Sequence, residues 1–255
     1  MDYRTKRQFI AFSILAVILA GVGFLFFQGI SEATCTDGRR NQNEEGVDCG
    51  GSCAPCELKN RKPVEVLWAR AVPSRSGVVD AAAEVRNPNV RVGARRVNYE
   101  FRFFDAAGAV LATRKGQSYL YPGETAHFLE FGIPVDDTVR QIDLVIGEAD
   151  WMVVDAVRPD VVAGNRAYGI TDVRGFPQSE VTTIAQNRSL DAVRDLTVYV
   201  LILDAQGNLI AANARELEEL RSGDSASITF RWPSVIAQSV GAMLIEARSP
   251  SLLPR

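Results

Sequence analysis

Apolar and polar positions divide the chain into three regimes. Residues 9–27, FIAFSILAVILAGVGFLFF, are apolar on every face, with Ser13 the sole polar interruption. With its flanks this run reaches roughly 30 Å as a helix, the thickness of a bilayer core. From 35 to 56 the chain is almost devoid of large apolar residues, with Val47 the only aliphatic one. Beyond Pro63 the pattern changes to alternation at period two, the signature of half-buried strands. Val97, Tyr99, Phe101 and Phe103 share one face of VNYEFRFF, and Ile142, Leu144 and Ile146 one face of QIDLVI. LTVYVLIL, 196–203, is apolar on both faces, as expected of a strand covered on both sides.

The alternating region repeats with a period of about 100 residues. Asn87 aligns with Asn187, Asp105 with Asp204, Gly108 with Gly207 and Gly123 with Gly223. Asp-x-x-Gly between apolar runs is a hairpin turn, in which Asp accepts backbone N–H groups and Gly takes the left-handed position. Each copy is expected to hold about seven short strands, the pattern of an immunoglobulin-like β-sandwich. AANARELEEL, 211–220, has high helix propensity, but its counterpart ATRKGQSYL does not, so the repeat assigns it to a strand.

The expected fold is therefore all-β: two tandem immunoglobulin-like β-sandwiches after an N-terminal transmembrane helix and a small disulfide-rich module. The boundaries read as a basic tail at 1–8, the membrane helix at 9–29, the cysteine module at 35–56, the first sandwich at 62–156, a linker at 157–166, the second sandwich at 167–248 and a tail at 249–255.

Charge settles orientation and excludes one class of partner. Arg4, Lys6 and Arg7 precede the apolar run, and the next charge after it is Glu32. The positive-inside rule then puts the N-terminus in the cytoplasm and the later domains outside. Ser31-Glu32-Ala33 offers small residues suited to a signal peptidase, but the apolar run exceeds the 7–15 residues of a signal-peptide core, which favours an uncleaved anchor. The expected partners are the lipid bilayer, through 9–29, and an envelope or surface protein. A net charge of −3 lacks the basic footprint that nucleic acid requires.

All four cysteines, Cys35, Cys49, Cys53 and Cys56, lie within 22 residues. In an exported chain they pair into two disulfides, and three connectivities are open. Four thiolates binding zinc would suit a cytosolic protein better. The Cys53-Ala54-Pro55-Cys56 motif lacks a following helix to lower a thiol pKa, which argues against a redox role. Asp37, Asn41, Asn43, Glu44, Glu45 and Asp48 crowd oxygen donors between glycines, so calcium is the candidate metal, with Asp37, Asn41, Asn43, Glu45 and Asp48 as its ligands. An EF-hand is rejected because its twelfth position is Ser52 rather than Glu. Turn formation alone explains the same residues, and no cofactor is assigned.

The motif C-x-D-G-x-x-N-x-x-E-x-G-x-D-C-G-G-x-C-x-x-C, from Cys35 through Asp37, Gly38, Asn41, Glu44, Gly46, Asp48, Cys49, Gly50, Gly51 and Cys53 to Cys56, resembles a cysteine-rich element of microbial cell-surface proteins. The resemblance implies an extracellular spacer and carries no catalysis. Phe101 to Asp105, Gly108 and Pro122-Gly123-Glu124, with Leu201 to Asp204 and Gly207 in the second copy, resemble the FxLYD and LEA14-like sandwiches. That resemblance implies a binding or structural envelope module. The second copy departs from it at Arg221-Ser222-Gly223-Asp224.

Catalytic signals are weak. His127 is the only histidine and reads as a surface or half-buried residue. Asp136-Asp137 and Glu216-x-Glu218-Glu219 read as solvated turns, and Trp68, Trp151 and Trp232 as core anchors. Asn187-Arg188-Ser189 is a glycosylation sequon by pattern, at the position of a turn. Taken together these features predict a non-enzymatic scaffold, adhesion or envelope-assembly protein, with a glycan- or calcium-sensing module as the alternative.

Overall fold

A computed structural model describes residues 3–29, 34–41, 43–135, 139–155 and 158–250. Asp136-Asp137, the Ser31-Glu32-Ala33 site and the end of the tail lie outside the described residues. The chain divides into two compact units, Met1–Lys59 and Asn60–Arg255.

The first unit contains helix α1, Tyr3–Gly29, and the cysteine module, which closes with the single-turn α2, Cys56–Lys59. Within α1, Thr5–Phe24 is long and apolar enough to cross a bilayer, and none of that stretch is buried. An apolar helix exposed all round has no soluble partner to cover it, which matches a membrane span or a signal segment.

Among the described residues the second unit holds twelve strands, six in each repeat where about seven were expected. In the first repeat, β1 (Glu65–Arg75), β2 (Val78–Arg86) and β5 (Thr125–Pro134) form a sheet in the order β1-β2-β5. It faces a sheet of β3 (Val92–Phe104), β4 (Val110–Leu120) and β6 (Gln141–Val153) in the order β4-β3-β6. In the second repeat, β7 (Val161–Val173), β8 (Phe176–Asn187) and β11 (Ser225–Arg231) form β11-β8-β7. Opposite lie β9 (Val193–Leu203), β10 (Leu209–Leu220) and β12 (Ala242–Arg248) as β10-β9-β12. All pairings are antiparallel. The stretch expected to be a linker, 157–166, instead supplies the start of β7, because Val161-Val162-Ala163 pairs with Asn187-Gln186-Ala185. The helix-prone stretch lies in β10, paired residue for residue with β9 from Ala211 to Leu217. Ladder hydrogen bonds and a buried face outweigh propensities of a few tenths of a kcal/mol per residue.

Each sandwich has its own core. Val85, Val97, Phe101, Phe103 and Phe128 fill the first, and Val181, Leu196, Val198, Val200 and Phe230 the second. A third cluster lies between the sandwiches, where Val72, Ala82, Trp68 and Leu129 meet Leu201, Leu209, Tyr199 and Leu203. The outer face of β1-β2-β5 is thereby stacked on the outer face of β10-β9-β12, giving four sheet layers. This explains two strands at once. β9, apolar on both faces, is covered by its own core on one side and by the first sandwich on the other. β2 carries Ala81, Ala82 and Ala83, all essentially inaccessible, because small side chains let two layers approach it from opposite sides.

The repeat is most literal at Asn87 and Asn187, both fully buried. Asn87 Nδ2 donates to the carbonyls of Val92 (2.7 Å) and Tyr121 (2.9 Å), and its Oδ1 accepts from Asn89 N–H. Asn187 Nδ2 donates to Asp191 and Leu220, both at 2.9 Å, and its Oδ1 accepts from Ser189 N–H. Each amide thus ties a loop to the neighbouring strand end. Asn187 has no free amide hydrogen for a glycan, so the sequon position is structural. Asn87→Ala or Asn187→Ala strands two buried carbonyls and is expected to cost about 2–4 kcal/mol. Urea unfolding of the full chain in detergent should show similar losses for both variants. A loss confined to one would break the equivalence.

The hairpin turns follow the reading from sequence. Asp105 Oδ1 accepts the N–H groups of Ala107 and Ala109, and Asp204 Oδ1 those of Gln206 and Asn208, all within 2.9 Å. Gly108 (φ +82°) and Gly207 (φ +80°) take the left-handed position.

Candidate functional site

The buried side-chain chemistry gathers between the two sandwiches. On β12, Ile245 and Ala247 face the second core, so Glu246 and Arg248 project toward the first sandwich. Arg248 is 2% exposed. Its guanidinium meets Glu124 at 3.2 and 3.3 Å, donates to the Tyr119 carbonyl at 2.7 Å and lies 4.5 Å from the Tyr119 ring centroid. Glu124, in the turn before β5, also accepts Tyr121 N–H at 2.8 Å and pairs with Arg158 at 3.3 Å.

Beside this group, His127 Nδ1 lies 2.7 Å from Glu246 Oε2, and its Nε2 lies 3.8 Å from Glu84. Trp68 closes over the imidazole at 5.6 Å. The second Glu246 oxygen has no hydrogen-bond donor but sits 3.4 Å from Arg248 Nε, an ion pair without bond geometry. Tyr121 Oη donates to the Ser249 carbonyl, and Ser249 Oγ donates to the Arg194 carbonyl. Arg70 reaches the Gly207 carbonyl in the second Asp-x-x-Gly turn.

Burial alone would lower the pKa of Arg248, but Glu124, Tyr119 and Glu246 outweigh it and drive the pKa above its ordinary value. The cation is thus permanent, and removing it would leave buried carboxylates unpaired. Burial, foremost, also raises the pKa of Tyr119, with Arg248 opposing and Glu124 assisting. Tyr99 is raised first by burial and then by Glu130, whose carboxylate accepts its hydroxyl at 3.0 Å.

The sign for both tyrosines is the same. The folded pKa exceeds the unfolded value of about 10, so their stabilisation is complete below that pH and is lost as the pH rises past it, because the unfolded chain ionises first. Stability should fall above about pH 10 by roughly 1.4 kcal/mol per pH unit for each tyrosine. Urea midpoints across that range should flatten in Tyr119→Phe. An alkaline limb unchanged by that substitution would refute the assignment.

The structure places the remaining candidates apart from this seam. Trp151 packs against the first core and Trp232 against the second, with Trp232 Nε1 donating to the Ala212 carbonyl. His127, expected at the surface or half-buried, is buried because the second sandwich covers it. Glu219 pairs with Arg194 on exposed β10 surface. An open depression of about 290 Å³ on the outer face of β4-β3-β6 is lined by Asn98, Glu100, Arg102, Lys115 and Val145. Its charges pair with one another, Arg102 to Glu100 at 2.6 Å and Lys115 to Glu100 at 3.9 Å.

In the cysteine module the disulfides are Cys35–Cys53 and Cys49–Cys56, with Cα separations of 5.6 and 4.8 Å. Their pairing consumes the thiolates a zinc site would need. The oxygen donors considered for calcium serve the turns. Asp37 accepts Arg39 N–H at 2.8 Å and Asn41 Nδ2 at 2.6 Å. The Arg39 N–H, above the opposing effect of burial, holds the Asp37 pKa below its usual value. Asp48 accepts Gly38 N–H and pairs with Lys59, Asn43 Oδ1 accepts from Ser52, and Glu45 is exposed. Glu44, another of the candidate donors, is the buried acid of the module and accepts Asp48 N–H and Asn41 N–H. Cys35, Glu44 and Cys53 bring ligand atoms within 4.8 Å of one another, but two of the three are the sulfurs of one disulfide. Gly50 (φ +79°) passes so close to Glu45 that a Cβ would sit 2.6 Å from its side chain, which explains a glycine after Cys49.

No family model and no curated protein matches the chain. Among solved structures, red sea bream transglutaminase aligns at 9% identity over 76% of this chain and 30% of its own, with a TM-score of 0.24. This chain therefore spans less than a third of that enzyme. The tandem CBM22-1–CBM22-2 domains of Paenibacillus barcinonensis Xyn10C align at 10% identity over 74% of this chain and 85% of theirs, with a TM-score of 0.16. Neither likeness bears on function.

Proposed function

We propose that the chain is a non-enzymatic scaffold anchored in a membrane through residues 9–29, with the cysteine module as a stapled stalk and the paired sandwiches on the extracytoplasmic side. The observation that carries this reading is the Arg248–Glu124–Glu246 seam. It commits the most reactive side chains of the unit, His127 included, to holding two sandwiches in one orientation rather than to an open cleft. Disulfide pairing fits an oxidising compartment, and the basic residues before α1 fit an N-terminus in the cytoplasm. A rigid block on a short tether presents its edges and loops to another envelope or surface protein, where sandwich proteins commonly carry their interactions.

Labelling of intact cells with a membrane-impermeant maleimide tests the location. The expected result is labelling only after an added reductant, since the cysteines are paired and outside. Labelling that requires lysis would place the module in the cytoplasm and overturn the reading.

A further inference from the structure

Beyond the bulge between Gly164 and Ala167, β7 is a sheet edge with little charge to shield it. Strands β4 and β10 also have an unpaired edge, but both are crowded with charge: Arg114 and Lys115 on one, Arg215, Glu216, Glu218 and Glu219 on the other. Charged edges resist pairing with another chain. From Ala167 to Val173, β7 carries a single charge, Asp172. Its Ile170 lies opposite fully buried Ser179, on the face turned toward the opposing sheet, yet is 60% exposed. Phe176, across from Val173, is 70% exposed. Gly169 has neither a positive φ nor any atom within 4 Å of where a Cβ would stand, so nothing inside the fold requires a glycine there.

We propose that β7 is a homodimerisation edge, on which two copies of this chain pair antiparallel about Gly169. That register brings Arg166, in the bulge between Gly164 and Ala167, beside Asp172 of the second copy, twice by symmetry, and sets Tyr168 opposite Ile170. Directly opposed side chains share a face, so the pairing covers both isoleucines and joins two opposite-charge pairs. Within one chain neither charge has an ionic partner among the described residues: Arg166 donates to the Met243 carbonyl on β12, and Asp172 accepts Gly175 N–H. The two three-stranded sheets become one of six strands, and the exposed edge disappears.

Sedimentation of the full chain in detergent tests the pairing. Wild type should form a dimer, and Arg166→Asp or Asp172→Arg should each weaken it about tenfold or more through like-charge contacts. An equimolar mixture of the two variants should restore it, since each supplies the charge the other lacks, and this recovery excludes misfolding as the cause. A wild type that stays monomeric at every concentration, or single variants that dimerise as well as wild type, would overturn the proposal.

Discussion

Arg248→Met is expected to destabilise the sandwich unit by about 3–5 kcal/mol and to lower its melting temperature by roughly 10 °C. The size follows from what is left behind. The Glu124 side chain is 1% exposed and that of Glu246 12%, and both lose their principal cation. Arg158 remains on Glu124, but its own side chain is 39% exposed and its contribution is screened. Methionine retains most of the apolar stem, so the loss is electrostatic rather than a cavity. Adding Glu124→Gln should return part of the stability by removing the stranded charge while keeping an acceptor for Tyr121 N–H. A double variant no better than Arg248→Met, or a single variant melting within a degree or two of wild type, would show that the seam is not what joins the sandwiches.

The second large effect concerns the cysteine module. It contains one large aliphatic residue, Val47, between its outer cysteines and has no core with which to remain folded. Its bridges close loops of 18 and 7 residues. The longer supplies about 3 kcal/mol by restricting the unfolded chain. Cys35→Ser with Cys53→Ser should therefore accelerate amide exchange across the module about 100-fold while leaving β1 to β12 as protected as before. Calcium added to the reduced chain should not restore protection, because Asp37, Asn43 and Asp48 are engaged in turn hydrogen bonds that disappear with the fold. Protection that survives loss of both bridges, or returns with calcium, would reverse this account and revive a metal-held module.

Much of the fold was legible because its signals are local. Alternation located β3 and β6, the repeat located the buried asparagines and the Asp-x-x-Gly turns, and the repeat also outweighed the helix propensity of 211–220. The two-faced apolarity of 196–203 even announced a second covering layer, though not its identity. Strand count and boundaries were less exact: 157–166 reads as polar and loop-like only until Val161 is paired with Asn187. The ionic seam was not legible. Glu124 looks like a turn residue and Arg248 like the end of a strand, and each is buried solely because a distant part of the chain packs on it. Disulfide connectivity was undetermined for the same reason, since it depends on which sulfurs meet in space. The donors between Cys35 and Cys56 suggested calcium because turn formation and cation binding draw on the same residue types.

Differential scanning calorimetry of the full chain in detergent tests the central claim most directly, namely that the two sandwiches behave as one block held by the Arg248 seam. The account predicts one cooperative transition for wild type that separates into two in Arg248→Met. Two independent transitions in wild type, unaffected by that substitution, would mean that the sandwiches are joined only by their chain, and the rigid-scaffold reading would fall with them.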